Sequence, residues 1–239
     1  MLHVLILTNS NLRRNACGLQ NEAQTAVLEA NLFCSQCLSA SFPPACQRSS
    51  PPLLTGALTV STQNEKLWLY AKYLYDALGQ KVRLTEQGNY QKKPFTYDAL
   101  LLFREAAMYE IDDKARTCKK KPLRADFHPM EIPSNSSLVG QAVVGSSSGV
   151  GQGLLVNTWT GNLSGSTGQY VATFTEIGCI PVNTKYQTQE YGWVLTDFFN
   201  NVIGISDPGL LNPPDYCPTE MTADGEQSED FTSLFFKLQ

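Results

Sequence analysis

The sequence predicts an all-β fold, a sandwich or an open barrel, and three observations carry that prediction. Short apolar runs recur at regular spacing from Pro51 onward, with Gly, Pro, Asn and Asp between them. No stretch in that region sustains an apolar stripe of helical period, so helices should be few. Charged residues make up 17% of the chain, against about 25% in an average soluble domain, while Thr, Ser, Asn and Tyr are plentiful. That balance suits a β protein outside the cell. At 239 residues, without internal repeats or a linker between two apolar halves, one domain from Cys46 to Cys217 is expected.

Residues 1–45 read differently. Leu2 to Leu7 is apolar but has no positive charge before it, and Arg13-Arg14 follow it, the reverse of a signal peptide. Cys34-Ser-Gln-Cys37 has no second such pair, and the only histidines are His3 and His128, so a four-ligand zinc site is not expected. The segment is read as an atypical leader, disordered or removed. Cys17, Cys34 and Cys37 receive no role.

Within the domain, Leu67 to Leu74 carries apolar residues on both faces, which predicts a strand covered on both sides. Asp76-Ala-Leu-Gly79 makes a turn, and Lys81 to Glu86 returns with Val82 and Leu84 inward. A second hairpin follows: Ala99 to Phe103, a polar break at Arg104-Glu105, then Met108 to Ile111. The acidic turn Asp112-Asp113 leads to Cys118 and the basic run Lys119 to Lys121, read as a solvated strand end. Ser134 to Val150, rich in Ser and Gly, lacks the Gly-Lys-Ser/Thr ending of a phosphate loop and is read as a flexible connection. Strands are expected again at Gln152–Thr160, Gln169–Ile177, Ile180–Thr188 and Tyr191–Phe199. Residues 218–239 form an acidic tail whose apolar end, Phe231 to Phe236, is able to dock on the domain or on a partner.

These features exclude several functions. A net charge of −4 argues against nucleic acid, and no apolar run approaches the roughly 20 residues that span a bilayer. With one histidine inside the domain and no Gly-x-Ser-x-Gly elbow, an enzyme is not expected. Calcium seeks several hard oxygen ligands from loops, and Asp112, Asp113 and Asp207 sit in turn-like contexts that suit it. Cys46, Cys118, Cys179 and Cys217 allow three pairings and imply an oxidising compartment. Asn135 and Asn162 each begin a glycosylation sequon. Trp68, Tyr70, Phe103, Trp159, Phe174, Trp193 and Phe198 lie on several strands, either as a packed core or as the lining of a concave apolar pocket.

One set of motifs, in order, resembles the ependymin family: Tyr75 to Leu84, Leu100 to Phe103 with Tyr109 to Asp112, Thr117 to Lys120, Met130 to Pro133, Gly153 to Val156, Cys179 to Val182, Phe198-Phe199, Asp207-Pro208 and Pro213 to Cys217. The resemblance covers Cys46 to the C-terminus. It implies a glycoprotein secreted to the extracellular fluid or held in the lysosomal lumen, tied to calcium and to cell-matrix adhesion. It further implies two curved antiparallel sheets similar to bacterial lipoprotein carriers, a deep hydrophobic pocket for a lipid-like ligand, and homodimers. By the same resemblance Cys46 pairs with Cys179 and Cys118 with Cys217, Asn135 is glycosylated, and calcium is held partly by sialic acids on the glycans. The region around Lys92 lacks the additional cysteine pair of the mammalian relatives, which places the chain nearer the four-cysteine branch.

Overall fold

The computed structural model describes residues 5–7, 46, 49–146, 148–149, 151–163 and 168–222. Most of the leader, with Cys17, Cys34 and Cys37, and the tail from residue 223 lie outside the described residues.

Among the described residues twelve strands build one antiparallel sheet: β1 Leu5–Leu7, β2 Leu53–Thr62, β3 Leu67–Asp76, β4 Lys81–Tyr90, β5 Lys93–Leu102, β6 Ala107–Asp112, β7 Thr117–Pro122, β8 Ser137–Gly145, β9 Gly153–Asn162, β10 Gln169–Thr175, β11 Pro181–Thr188 and β12 Gly192–Ile203. Their spatial order is β1-β8-β9-β10-β11-β12-β2-β3-β4-β5-β6-β7. Two meanders, β2 to β7 and β8 to β12, are therefore joined along the ladder between β12 and β2. The two curved sheets expected from the family resemblance are the two halves of this continuous sheet. The only helical pieces among the described residues are the 3₁₀ turns Phe103–Glu105 and Pro208–Leu211.

Alternation along each strand sorts residues to one face or the other. On β3, Leu67, Leu69, Ala71, Tyr73 and Tyr75 are buried while Trp68 and Lys72 are exposed. The same face collects Leu54, Leu58 and Val60 from β2, Val82 and Leu84 from β4, and Ala99 and Leu101 from β5. It is closed by Tyr170, Ala172 and Phe174 of β10, Tyr186 of β11 and Val194 of β12, so both halves share one core. Each buried Leu contributes roughly 1.5–3 kcal/mol.

Because β7 and β8 sit far apart in the sheet, the chain between them must cross it. Leu123 to Ser136 does so on the core side: Leu123 and Ile132 are buried, and Phe127 stacks on Tyr75 with ring centroids 6.0 Å apart. A short bridge between Ser49 and Glu131 and a hydrogen bond from the Met130 amide to the Tyr75 hydroxyl, 2.9 Å, hold the crossing in place.

The opposite face of β4 to β7 has its own cover. Leu100, Leu102, Ala107, Tyr109 and Ile111 pack beneath Leu211, Ile205 and Tyr216 of the C-terminal segment. Arg83 points to this side, yet it is only 8% exposed, because Leu210 lies over it and takes a hydrogen bond from its Nη1 at 3.1 Å. Its Nε and Nη2 grip both oxygens of Asp98 at 2.9 Å each.

Two sequence readings change here. Ser137 to Gly145 is strand β8 rather than part of a flexible connection, paired with β9 along its length. Its Leu138, Val139, Val143 and Val144 are β-forming residues, and only the Ser-Gly run beyond them turns. Strand β3 is fully covered on its core face only: on the other face Leu74 packs against the second cluster while Trp68 stays 50% exposed.

Candidate functional site

An apolar cleft opens on the core side where the two halves of the sheet face each other. Leu58, Tyr73, Val82 and Leu84 form one wall, Phe174, Thr184 and Phe198 another, and His128 to Glu131 of the crossing segment covers the space between. Its cavity volume is about 40 Å³, room for about three water molecules. A bulge between Phe199 and Val202 shapes one side. Asn201 in that bulge accepts a hydrogen bond from the Tyr73 hydroxyl at 2.6 Å and donates to the Pro181 carbonyl at 2.9 Å, tying β3, β12 and β11 together. Burial pushes the Tyr73 phenol above its ordinary pKa and that of Tyr75 up to about 12, so both remain neutral donors.

The seven aromatic residues expected to line a pocket divide in three. Phe174 and Phe198 do line the cleft. Trp159 and Phe103 pack against the same core beside it, Phe103 edge-on to Phe127 at 5.2 Å. Trp68, Tyr70 and Trp193 occupy alternate positions with Leu67, Leu69 and Val194, on the face turned away from the core. Sequence reasoning missed the crossing segment as a wall of the cleft, and no local pattern marks it.

The four cysteines form the two bridges that the resemblance implies, Cys46–Cys179 and Cys118–Cys217, spanning 133 and 99 residues. The first pins the segment entering β2 to the turn before β11, where Ser50 Oγ also donates to the Cys179 carbonyl at 2.9 Å. The second fastens the C-terminal cover to β7.

A larger groove, about 580 Å³, lies where β5 and the β6–β7 hairpin diverge. Asp98, Glu110, Asp112, Asp113, Lys114 and Lys119 line it. Its acids are engaged: Asp98 with Arg83, Glu110 with Lys121 and the Tyr97 hydroxyl, and Asp113 with the Tyr216 hydroxyl at 2.5 Å. Asp112 Oδ1 accepts the amides of Lys114 and Ala115, and Asp207 Oδ1 caps the second 3₁₀ turn through the Gly209 amide. Among the described residues no three His, Cys, Asp or Glu side chains gather to hold a metal ion.

Asn135 and Asn162 are both exposed, and the Asn135 side-chain amide donates to the Asn162 carbonyl at 2.8 Å, so the two sequons stand side by side. No helix of the described residues is long and apolar enough to cross a membrane.

An antiparallel β body with a covered apolar cleft, closed by two long-range disulfides, places the chain among disulfide-tied all-β proteins built on one large open sheet. Its relatives place it further. The family model described as Ependymin matches residues 91–217. Ependymin-2 of Carassius auratus is 31% identical over 186 residues, covering 78% of this chain and 86% of that protein. Ependymin-1 of Oncorhynchus mykiss is 32% identical over 197 residues, with 79% and 87% covered. Mammalian ependymin-related protein 1 of Mus musculus is 29% identical over 164 residues, with 67% and 70% covered. Among solved structures, an uncharacterized conserved protein from Thermus thermophilus superposes with a TM-score of 0.44 at 9% identity over 70% of this chain and 87% of that one, too distant to support an argument. The chain belongs to the ependymin family.

Proposed function

We propose that this protein is a secreted ependymin-like glycoprotein that holds an apolar, lipid-like ligand between the halves of its sheet and takes part in calcium-linked cell-matrix adhesion. The observation that carries the reading is the cleft: an apolar concavity whose cover is a connection rather than a strand. The cover is held by a single bridge to Ser49 and a hydrogen bond to the Tyr75 hydroxyl rather than by a continuous ladder, and so shifts more readily than the sheet. At about 40 Å³ the cleft is smaller than an acyl chain, so entry requires His128 to Glu131 to swing outward while the sheet stays put. Secretion draws support from the two disulfides, which persist in an oxidising compartment. In this reading the protein works as a homodimer among matrix components and binds rather than transforms its ligand. Native mass spectrometry of protein gently purified from a eukaryotic host tests it: a co-purifying acyl chain is expected, and a clean apo mass counts against the pocket.

A second reading is a matrix glycoprotein that carries no ligand and binds calcium through its glycans. It is favoured by the engagement of Asp112, Asp113 and Asp207 in other hydrogen bonds and by the adjacency of the two sequons, which would present two glycans together.

A further inference from the structure

Glu86 faces the core from β4 and is 1% exposed, and among the described residues neither carboxyl oxygen has a hydrogen-bond partner. Its cross-strand neighbours cannot supply one. Ala71 on β3 has no polar side-chain atom, and Tyr97 on β5 donates its hydroxyl to Glu110. A buried carboxyl left in this state is costly, and it sits in a suggestive place. Leu84, two residues before it on the same strand and face, lines the cleft; Leu58, which also lines the cleft, lies opposite Ala71. The row Leu58, Ala71, Glu86 thus runs from the wall of the cleft to the carboxyl, and Ala71 is the smallest residue of β3 on that face. Burial, with a smaller contribution from Asp98, raises its pKa to about 7, which leaves both protonation states populated near neutrality.

We propose that Glu86 is the polar anchor of the cleft, and that the ligand is an aliphatic amphiphile ending in a hydrogen-bond donor, an amine or a hydroxyl, whose chain lies between Leu58, Leu84 and Phe198 while its polar end crosses Ala71 to reach the carboxyl. This rests on the ligand-binding reading above and adds to it the chemistry of the ligand's head. An apolar wall alone would not distinguish a donor-ended chain from a methyl-ended one. A buried carboxyl makes the difference, because hydrogen bonds to charged groups contribute enough to separate affinities roughly ten- to hundredfold.

The test uses the full chain at about pH 8.5, where the Glu86 carboxyl is ionised and only accepts, and three probes of equal chain length: dodecylamine, dodecanol and dodecyl methyl ether, which has no donor. Wild type should bind the amine and the alcohol roughly tenfold or more tightly than the ether, and in Glu86→Leu the three should fall within about threefold of one another. If the ether binds wild type as well as the other two, or the preference survives in Glu86→Leu, the anchor is overturned while the cleft reading stands. If none binds wild type, the cleft reading fails first and the anchor with it. Should Glu86→Leu not fold, the ¹³C resonance of the Glu86 carboxyl in labelled wild type decides. It should move on addition of dodecylamine and not of the ether, and a resonance indifferent to both overturns the proposal.

Discussion

Glu86 also makes a prediction that needs no ligand. Its carboxyl has a native pKa of about 7 in place of 4.5, chiefly because burial disfavours the charge. Above pH 4.5 the unfolded chain releases this proton while the native state keeps it, so stability falls as pH rises from about 4.5 to about 7 and then levels off. Ionisation costs the fold roughly 3 kcal/mol at the upper end. Denaturant melts across that window should show the decline in wild type and its absence in Glu86→Gln; parallel curves would contradict the assignment. Gly88, two residues on, fails in a different way. A Cβ there would stand 2.3 Å from the Trp68 carbonyl and 2.7 Å from Leu69, backbone that cannot yield. Gly88→Ala should therefore cost about 1–3 kcal/mol or more. Gly140→Ala on β8, with nothing within 4 Å of the new methyl, should stay within about 1 kcal/mol of wild type. Paired thermal melts of the two variants check both.

At the scale of elements, the β6–β7 hairpin and the C-terminal cover depend on each other. Ile111 and Tyr109 pack in one cluster with Leu211 and Tyr216, and Cys118–Cys217 holds that arrangement. Replacing both cysteines by serine removes a constraint on a loop of 99 residues, up to about 4–5 kcal/mol on the chain-entropy account. Hydrogen exchange should then rise first in β6, β7 and the 3₁₀ turn at Pro208–Leu211, with β2 and β3 protected. Uniform loss across the sheet would mean that the bridge stabilises the whole rather than the cover. This element was only half legible in sequence. The strand, break and strand from Ala99 to Ile111 appear where alternation and the Arg104-Glu105 interruption place them. The strand before the break proves longer, starting at Lys93, because Lys93 to Asp98 has mixed polarity and pairs on one side only, with β4. Likewise β8 escaped notice because Gly140, Gln141 and Gly145 interrupt its apolar residues, and its pairing partner β9 decides the matter.

At the scale of the molecule, the sheet is one piece with a seam between the first strand of one meander and the last of the other, β2 against β12. Closing that seam brings together residues some 140 positions apart, and the cleft is a product of it: Leu58 and Phe198 are register partners and share the cavity wall. For calcium the expected outcome is that, after enzymatic removal of the glycans, melting temperatures with calcium and with chelator coincide. A retained difference would require a site made by the protein, with Asp112, Asp113 and Asp207 as first candidates despite their present hydrogen bonds.

By itself the sequence determined the strand class, most strand positions and the hairpin turns, since side-chain alternation and turn chemistry act between residues a few positions apart. The pairing of its four domain cysteines was legible only through family resemblance. Alternation placed Val82 and Leu84 inward, but that Trp68 is exposed, Arg83 covered and Glu86 left without a hydrogen-bond partner among the described residues was decided by the tertiary structure alone. Alternation says that two faces differ. It is the chain returning from a hundred residues away that covers one of them.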